Sequence, residues 1–348
     1  MTPAKRRCIV GIEMSPSEFT HVPVIDVAPL VNHTPERAQT ADAIGAACRE
    51  SGFFYVVNHR VDESLCRQLE TLSREFFAQS EPQKMHIAMS RGGRAWRGYF
   101  PVGRELTSGK PDRKEGLYFG AELSADHPAV RARTPLHGPN LFPAIPGFRE
   151  TVLQYLDSLT ELGHSLMSGI SRGLGLDERY LRERYFSEPL ILFRIFNYPH
   201  ALAPRTGETA WGVGEHTDYG LLTILRQDDT GGLQVKSRSR WIDAPPIPGS
   251  FLCNIGDMLE RLSRGVFRST PHRVLNTSPR DRLSFPFFFD PGFNARMLPV
   301  EGLVNDMLTD DSNERWDHAS VHEFAGTYGD YLLTKVSKVF PELRNEVL

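Results

Sequence analysis

The sequence has few features of a membrane, disulfide-bonded or nucleic-acid-binding protein. Four cysteines are spread over 348 residues without a CxxC pair, which argues against a disulfide framework and against a zinc knuckle. The longest apolar runs are strand-sized and well short of the ~18–20 residues that cross a bilayer. A net charge of -3 gives no general attraction to nucleic acid or to a membrane surface. The basic start at Lys5–Arg7 precedes an apolar stretch too short for a signal peptide. We therefore expect a cytoplasmic protein that binds neither nucleic acid nor membrane.

What the sequence does contain is enough apolar material for a large core. Hydrophobic residues make up 40% of the chain and charged residues 24%, as in an ordinary globular protein. Residues 1–20 have no convincing periodicity and are predicted to be a loose lead-in, in which either Met1 or Met14 could be the natural start. We expect residues 21–348 to form a single domain, present as a monomer or a simple homo-oligomer.

The pattern of predicted elements divides this domain into three parts. Residues 21–185 are predicted to be mainly helical, with helices from Pro35 to Gly52, from Asp62 onward and from about Pro146 to Leu174, and with residues 80–145 as long excursions. Residues 186–295 contain seven or eight short β-rich runs separated by turn signals, which is typical of a sandwich or jelly roll. Residues 296–348 end in a helix. The fold class is therefore α+β.

One short stretch, Gly214-Glu-His216-Thr-Asp218, carries the clearest chemical signal. His216 and Asp218 are two residues apart at the predicted start of a strand, so both side chains point to one side. His272 lies far along the chain and is the candidate third ligand. Two histidines and one carboxylate on one face of an octahedron leave three open positions, which suits ferrous iron. The alternatives are that Asp218 merely hydrogen-bonds a neighbour and that His272 is a surface residue.

Arg282 and Ser284 form a second candidate pair, ten residues after His272. A guanidinium binds a carboxylate through two parallel charge-assisted hydrogen bonds, and a serine hydroxyl adds a third. The Arg-x-Ser tripeptide has little weight alone, because it also occurs at Arg49/Ser51 and Arg261/Ser263. Position favours Arg282, since it enters an apolar strand where an unpaired arginine would be costly. Arg261 lies in a polar stretch and is expected to be solvated.

The order His-x-Asp, His and Arg-x-Ser resembles the iron(II)/2-oxoglutarate-dependent dioxygenases of the isopenicillin N synthase-like superfamily. Further similar stretches run along nearly the whole chain, among them Val22-Pro-Val-Ile-Asp26 and Asn254-Ile-Gly-Asp257. The resemblance implies a distorted double-stranded β-helix (jelly roll) flanked by N-terminal and C-terminal helices. It implies Fe(II) bound by His216, Asp218 and His272, with 2-oxoglutarate and O₂ as co-substrates.

The same resemblance implies roles for residues around the metal. Arg282 and Ser284 would bind the far carboxylate of 2-oxoglutarate, with Tyr198 beside it. Local similarity to bacterial ethylene-forming enzyme suggests that Arg194 contacts co-substrate or substrate, and that Tyr219 and Glu105 lie near the substrate. The alternatives are a core aromatic for Tyr198 and a structural ion pair for Arg194.

The substrate itself is not readable from the sequence. We expect a small molecule, oxidised by hydroxylation in the default case, with release of succinate and CO₂. Further candidate contacts are the aromatic residues Tyr99, Phe100 and Phe287, each of which could equally belong to the core. An oxidase of the same fold that does not use 2-oxoglutarate, and a non-catalytic metal- or ligand-binding module, are the competing interpretations.

Overall fold

The computed structural model describes residues 18–107, 109–200, 211–276, 278–303, 315 and 318–341. The predicted lead-in therefore lies mostly outside the described residues, and so do Met1 and Met14. Its last residues are not loose, however. Phe19 is buried, and its carbonyl accepts a hydrogen bond from the hydroxyl of Ser237 at 2.9 Å. Packing of this apolar side chain and the hydrogen bond fix the end of the predicted lead-in.

The helices lie mainly before the central strands. In chain order they are α1 (Ala28–Val31), α2 (Arg37–Glu50), α3 (Glu63–Phe77), α4 (Glu81–Lys84), α5 (Pro128–Arg131), α6 (Phe148–Gly173), α7 (Tyr180–Tyr185), α8 (Asp257–Leu262) and α9 (Tyr328–Val339). Asp62 caps α3 as the sequence predicts, accepting a hydrogen bond from the Ser64 N–H. Helices α2 and α6 approach closely where two glycines meet: a Cβ on Gly45 would lie 2.9 Å from the Cα of Gly173. No helix in the described ranges is long and apolar enough to cross a membrane.

The strands form a jelly roll of two facing sheets. They are β1 (Val24–Asp26), β2 (Phe53–Val57), β3 (Gly98–Phe100), β4 (Leu106–Thr107), β5 (Lys110–Pro111), β6 (Glu115–Gly120), β7 (Leu190–Tyr198), β8 (Val213–His216), β9 (Leu222–Gln227), β10 (Leu233–Lys236), β11 (Trp241–Asp243), β12 (Phe251–Ile255), β13 (His272–Val274) and β14 (Arg282–Asp290). The large sheet has the order β1-β2-β12-β9-β14-β7-β6-β3, and the small sheet has the order β11-β10-β13-β8. Strands β4 and β5 form a separate ribbon.

The two faces of the large sheet have different neighbours, and strand β14 demonstrates this. Phe289 packs against α6, where a Cβ on Gly163 would lie 2.8 Å from its ring. Its neighbours Ser284, Pro286 and Phe288 line a cavity on the opposite face. Because side chains alternate along a strand, β14 contributes one set of residues to the helix-covered core and the other to the cavity.

The region 80–145 is more regular than the sequence predicts. Strand β6 pairs with β7 from Glu115↔Asn197 to Gly120↔Leu192, and β3 pairs with β6. The predicted excursion therefore supplies two strands to the large sheet. The Gly and charged residues that suggested loops belong to the connections, whereas Gly116 is itself a strand residue. A Cβ there would lie 2.7 Å from the Phe100 ring, so the glycine makes room for that aromatic side chain.

Candidate active site

Three candidate ligand residues come together beside the pair of strands β8 and β13 in the small sheet. They are His216, Asp218 and His272. His216 is the last residue of β8 and is paired directly with His272, the first residue of β13. The sequence prediction that His216 starts a strand is thus wrong, and Asp218 lies in the connection after β8. One ligand atom from each of the three residues lies within 4.8 Å of the others. The Nε2 atoms of His216 and His272 lie 3.9 and 3.8 Å from Asp218 Oδ1.

Both imidazoles are held with Nε2 free to bind a cation. His216 Nδ1 donates to the Gly214 carbonyl at 2.8 Å, and His272 Nδ1 lies 3.3 Å from the Thr270 carbonyl. Burial lowers the pKa of both histidines, and for His272 burial and the nearby His216 lower it to about 4. Neutral imidazoles with an outward lone pair are the form that binds metal.

Two hydrogen bonds fix the carboxylate of Asp218. Its Oδ2 atom accepts from Thr223 Oγ1 at 2.5 Å and from Asn254 Nδ2 at 2.7 Å. Burial opposes ionisation, but the adjacent imidazoles and these hydrogen bonds outweigh it and keep the pKa of Asp218 below its usual value. Oδ1 therefore remains available to bind a metal ion. Two nitrogens and one carboxylate oxygen on one side of a cavity are a donor set that fits Fe(II).

Replacing Asn254 by alanine is expected to weaken Fe(II) binding by about 10–100-fold, because outer hydrogen bonds orient the ligands of a metal. The measurement is anaerobic Fe(II) titration of the purified protein. The matched control is Gln234→Ala, which removes an amide from β10 that bonds to Asp243 and Arg273. Equal iron affinities in the Asn254 variant and the unaltered protein would contradict the role of this hydrogen bond.

Arg282 and Ser284 lie on β14 and face the same cavity as the three converging side chains. Arg282 is 1% exposed. Its Nε donates to the Gly231 carbonyl at 2.6 Å, and its Nη2 donates to Gln227 Oε1 at 3.3 Å. Nη1 is buried without a hydrogen-bond partner, and no carboxylate in the described part of the chain forms an ion pair with the guanidinium. An unsatisfied buried donor next to a serine hydroxyl fits one carboxylate of a diacid such as 2-oxoglutarate.

Tyr198 lies directly opposite Arg282 in the sheet. The Arg282 guanidinium is 4.8 Å from the centre of the Tyr198 ring, and Tyr198 also lines the cavity. The ring thus contacts the arginine that would bind the co-substrate. Such stacking keeps the planar guanidinium in one orientation.

Arg194 and Glu105 lie in the same cavity and contact one another. Arg194 Nη1 lies 3.4 Å from Glu105 Oε1, which also accepts a hydrogen bond from the Tyr118 hydroxyl at 2.8 Å. Glu105 Oε2 is 2.8 Å from the Lys114 ammonium. Burial opposes ionisation of Glu105, but Lys114 and Arg194 keep its pKa below its usual value. The ion pair that the sequence left open for Arg194 is therefore present, and it lies within the cavity.

Of the four remaining residues predicted to contact the substrate, one lines the cavity and three do not. Tyr219 lines the cavity. Tyr99 instead donates its hydroxyl to Glu115 at 2.6 Å and packs edge-on against Phe76. Phe100 packs among aromatic rings, and Phe287 faces the covered side of β14 beside Phe289. None of these three residues is among those lining the cavity. Phe100 is on the cavity side of the large sheet, but it packs behind Phe196 and Phe340, whose rings line the cavity instead.

In the aromatic run Phe285–Phe289, which also supplied candidate pocket residues, sequence reasoning selected Phe287, whereas the strand period selects its neighbours. Continuing the two-residue spacing from Arg282 and Ser284 leads to Pro286, Phe288 and Asp290, all of which line the cavity. Burial raises the pKa of Asp290 to about 7. No sequence signal indicated the contribution of α9, which closes the cavity with three apolar side chains, Leu332, Val336 and Val339.

The expectation that Arg261 is solvated is wrong. It is buried, and its guanidinium donates to the backbone carbonyls of Met297 and Val321, both at 2.9 Å. Arg315 holds the segment between the candidate ligands from outside the cavity: it donates to Thr217 at 3.3 Å and pairs with Asp257 and Glu260. Because these contacts join segments far apart in the chain, spacing alone could not predict them.

Comparison with known proteins agrees with this geometry. Residues 22–145 match the family model described as the non-haem dioxygenase in morphine synthesis N-terminal domain, and residues 184–291 match that of the 2OG-Fe(II) oxygenase superfamily. A Dictyostelium discoideum protein called a probable iron/ascorbate oxidoreductase is 52% identical over 94% of this chain and 97% of its own length.

More distant relatives have named substrates. A 1-aminocyclopropane-1-carboxylate oxidase of Dictyostelium mucoroides is 38% identical, covering 93% of this chain and 96% of its own. A homoarginine-6-hydroxylase of Oryza sativa is 36% identical, covering 92% and 98%. Among solved structures, a full-length Neurospora crassa protein in complex with alpha-KG and thymine superposes with a TM-score of 0.74 at 28% identity, covering 91% of this chain and 96% of that one.

The two family models together span most of the chain, and the relatives match over nearly their whole length. The chain therefore belongs to the 2OG-Fe(II) oxygenase superfamily and is an oxidoreductase that uses Fe(II), 2-oxoglutarate and O₂.

Proposed function

We propose that the chain oxidises a small α-amino acid, holding Fe(II) through His216, Asp218 and His272 and 2-oxoglutarate through Arg282 and Ser284. Bound iron and 2-oxoglutarate together supply the activation of O₂ that oxidises the substrate, with release of succinate and CO₂. The observation that carries the choice of substrate is Arg194. Its guanidinium lines the cavity, yet its buried Nε has no hydrogen-bond partner and its contact to Glu105 is long.

The position of Arg194 supports a contact with the substrate rather than with the co-substrate. It lies on β7 four residues from Tyr198, which is opposite Arg282, so the two arginines are separated by about 13 Å along the strand. Two cations so far apart serve different ends of the cavity. Arg282 binds the co-substrate, and Arg194 donates hydrogen bonds to a carboxylate of the substrate.

The remaining groups near Arg194 fit the rest of an amino acid. Its guanidinium lies 4.9 Å from the Phe288 ring, which offers an apolar surface. Asp290 lines the same cavity, and its buried Oδ1, which has no hydrogen-bond partner, can accept a hydrogen bond from the amino group of the substrate. The names of two relatives, 1-aminocyclopropane-1-carboxylate oxidase and homoarginine-6-hydroxylase, both contain an amino acid and support the same class. We also propose, as the sequence predicts, that the protein is cytoplasmic and is a monomer or a simple homo-oligomer. Its substrate is not a nucleic acid.

The test combines anaerobic co-substrate binding with a substrate panel. Adding 2-oxoglutarate to the Fe(II) protein without O₂ is expected to produce a metal-to-ligand charge-transfer band. In air, succinate formation is then measured with homoarginine, lysine, 1-aminocyclopropane-1-carboxylate and thymine. We expect at least one amino acid to raise succinate formation above the rate without substrate. A response to thymine alone would overturn the substrate class, and turnover without 2-oxoglutarate consumption would favour the oxidase interpretation.

Glu105→Gln is expected to lower kcat/KM for the substrate at least about tenfold and to leave the affinity for 2-oxoglutarate unchanged within about twofold. The amide keeps the size of the side chain but removes the charge that Lys114 and Arg194 neutralise. Succinate formation should rise relative to oxidised product, because a misplaced substrate no longer presents its reactive atom. Glu75→Gln, on the exposed face of α3, is the matched control. A changed 2-oxoglutarate affinity with normal substrate kinetics would reverse the assignment of Glu105.

A further inference from the structure

A second cleft lies at the beginning of β7 and shares no lining residue with the metal cavity. It has a volume of about 720 Å³, which is within the usual range of small-molecule sites. The first residues of β7, Leu190 and Ile191, contribute to its wall together with Arg97 and Arg184. A small apolar cavity separates it from the metal cavity, sharing Arg97 with the cleft and Arg194 with the metal cavity.

Arg97 is the unusual feature of this cleft. It is 2% exposed, and its Nη2 donates to the Leu136 carbonyl at 2.8 Å. Its buried Nε has no hydrogen-bond partner, and no carboxylate within the described ranges forms an ion pair with it. A buried, unpaired arginine is strongly unfavourable unless a ligand or partner supplies the missing charge.

The acid whose charge acts on Arg97, Glu122, forms its hydrogen bonds with other residues. Glu122 accepts two hydrogen bonds from Asn140, at 2.8 and 2.7 Å, and a longer one from Arg149 at 3.4 Å. The backbone also makes room for the guanidinium, since a Cβ on Gly120 would lie 1.8 Å from Arg97 Nη1. The fold thus positions the cation at the cleft without neutralising it.

Other groups in the cleft add one more positive charge and a hydrogen-bond donor. Arg184 is exposed and makes no ion pair in the described part of the chain. His127 Nδ1 accepts a hydrogen bond from the Ala129 N–H at 3.3 Å, so its Nε2 carries the proton and can donate. Glu188 is the single carboxylate among the residues that line the cleft. Burial lowers the pKa of His137 in the same cleft, and the nearby Arg97 charge lowers it further.

From this arrangement we infer that the cleft is a second binding site, distinct from the metal cavity, for a small organic anion that carries a carboxylate or a phosphate group. The anion forms charge-assisted hydrogen bonds with Arg97 at the base of the cleft, and Arg184 and His127 contact it from the rim. The site is independent of the substrate proposed above, since it uses none of the residues that face the metal.

Calorimetric titration tests the inference, with succinate and inorganic phosphate as separate probes. The starting protein is full-length Arg282→Leu with Fe(II), kept anaerobic, because this change weakens the co-substrate site. Binding of at least one probe is expected to weaken tenfold or more when Arg97→Gln is added, whereas adding Arg67→Gln on α3 has no effect. If only succinate binding weakens, the site prefers a carboxylate. If only phosphate binding weakens, it prefers a phosphate group. Any binding directly to iron persists in both double variants.

Superimposable titrations with and without Arg97→Gln would overturn the inference, as would the absence of probe binding that depends on Arg97. Should Arg97→Gln fail to fold, Arg184→Gln decides, because Arg184 is exposed and its replacement leaves the core intact. We expect that variant to weaken binding several-fold, and unchanged binding would overturn the site. No substrate or turnover is needed, so failure here is distinguishable from failure of the proposed function.

Discussion

Replacing Asp218 by alanine is expected to reduce turnover below detection and to weaken Fe(II) binding by more than about 100-fold. This is a larger effect than the loss of a hydrogen bond to a metal ligand usually has. In the proposed ligand set of three residues, this carboxylate would provide the oxygen. Its loss removes both a metal ligand and the charge that offsets the cation. The measurements are iron content after anaerobic loading, and succinate formation. His216→Ala and His272→Ala should give the same result.

Folding must be checked separately for these variants, because Asp218 also accepts hydrogen bonds from Thr223 and Asn254. Leaving those donors unsatisfied costs about 1–3 kcal/mol each. Circular dichroism and thermal unfolding of the iron-free protein give that check. His59→Ala is the matched control, since His59 is a buried histidine whose Nε2 lies 3.2 Å from the Gly249 carbonyl, remote from the ligand set. Near-normal iron binding in Asp218→Ala would refute the assignment of the three ligands.

The second large effect is expected for Arg282→Leu, which should raise the apparent KM for 2-oxoglutarate at least tenfold. Loss of one partner from a buried, charge-assisted pair costs roughly 2–5 kcal/mol, and the free Nη1 of Arg282 is the donor in question. Leucine also leaves the Gly231 carbonyl and Gln227 without their present contacts. The readouts are the KM for 2-oxoglutarate and the anaerobic charge-transfer band as a function of its concentration.

The control for Arg282 is Arg280→Leu, two residues earlier. Arg280 is exposed and pairs with Asp229 at 3.1 Å on the surface, where an ion pair contributes little. Its replacement should leave the KM for 2-oxoglutarate unchanged. Arg261 is unsuitable as a control, because its buried guanidinium supports two backbone segments. If Arg280→Leu raised the KM and Arg282→Leu did not, the co-substrate anchor and the register of β14 would both need reassignment.

Local patterns were sufficient to predict much of the core. The apolar run at Leu190–Tyr198 coincides with β7, the run at Phe53–Val57 coincides with β2, and the predicted long helix is α6 within two residues at its start. These elements are specified by hydrophobic periodicity and by signals next to them in sequence, such as the Asp62 cap. The sequence also predicted that His216, Asp218 and His272 come together and that Arg282 faces the same cavity, and the structure places them so. That prediction depended on the order of the motifs and on its resemblance to a known family.

Only the tertiary structure decided which aromatic and charged residues face the cavity. Phe287 and Phe288 are neighbours with the same chemistry, yet only Phe288 lines the cavity, because the register of β14 against β7 and β9 fixes the face of each side chain. Arg194 on β7 pairs with Glu105 from a segment 89 residues earlier, and α9 closes the cavity from the far end of the chain. The sequence by itself therefore determined the iron and 2-oxoglutarate chemistry and most of the strands of the core. The walls of the cavity depend on contacts between distant segments, and such contacts leave no local pattern in the sequence.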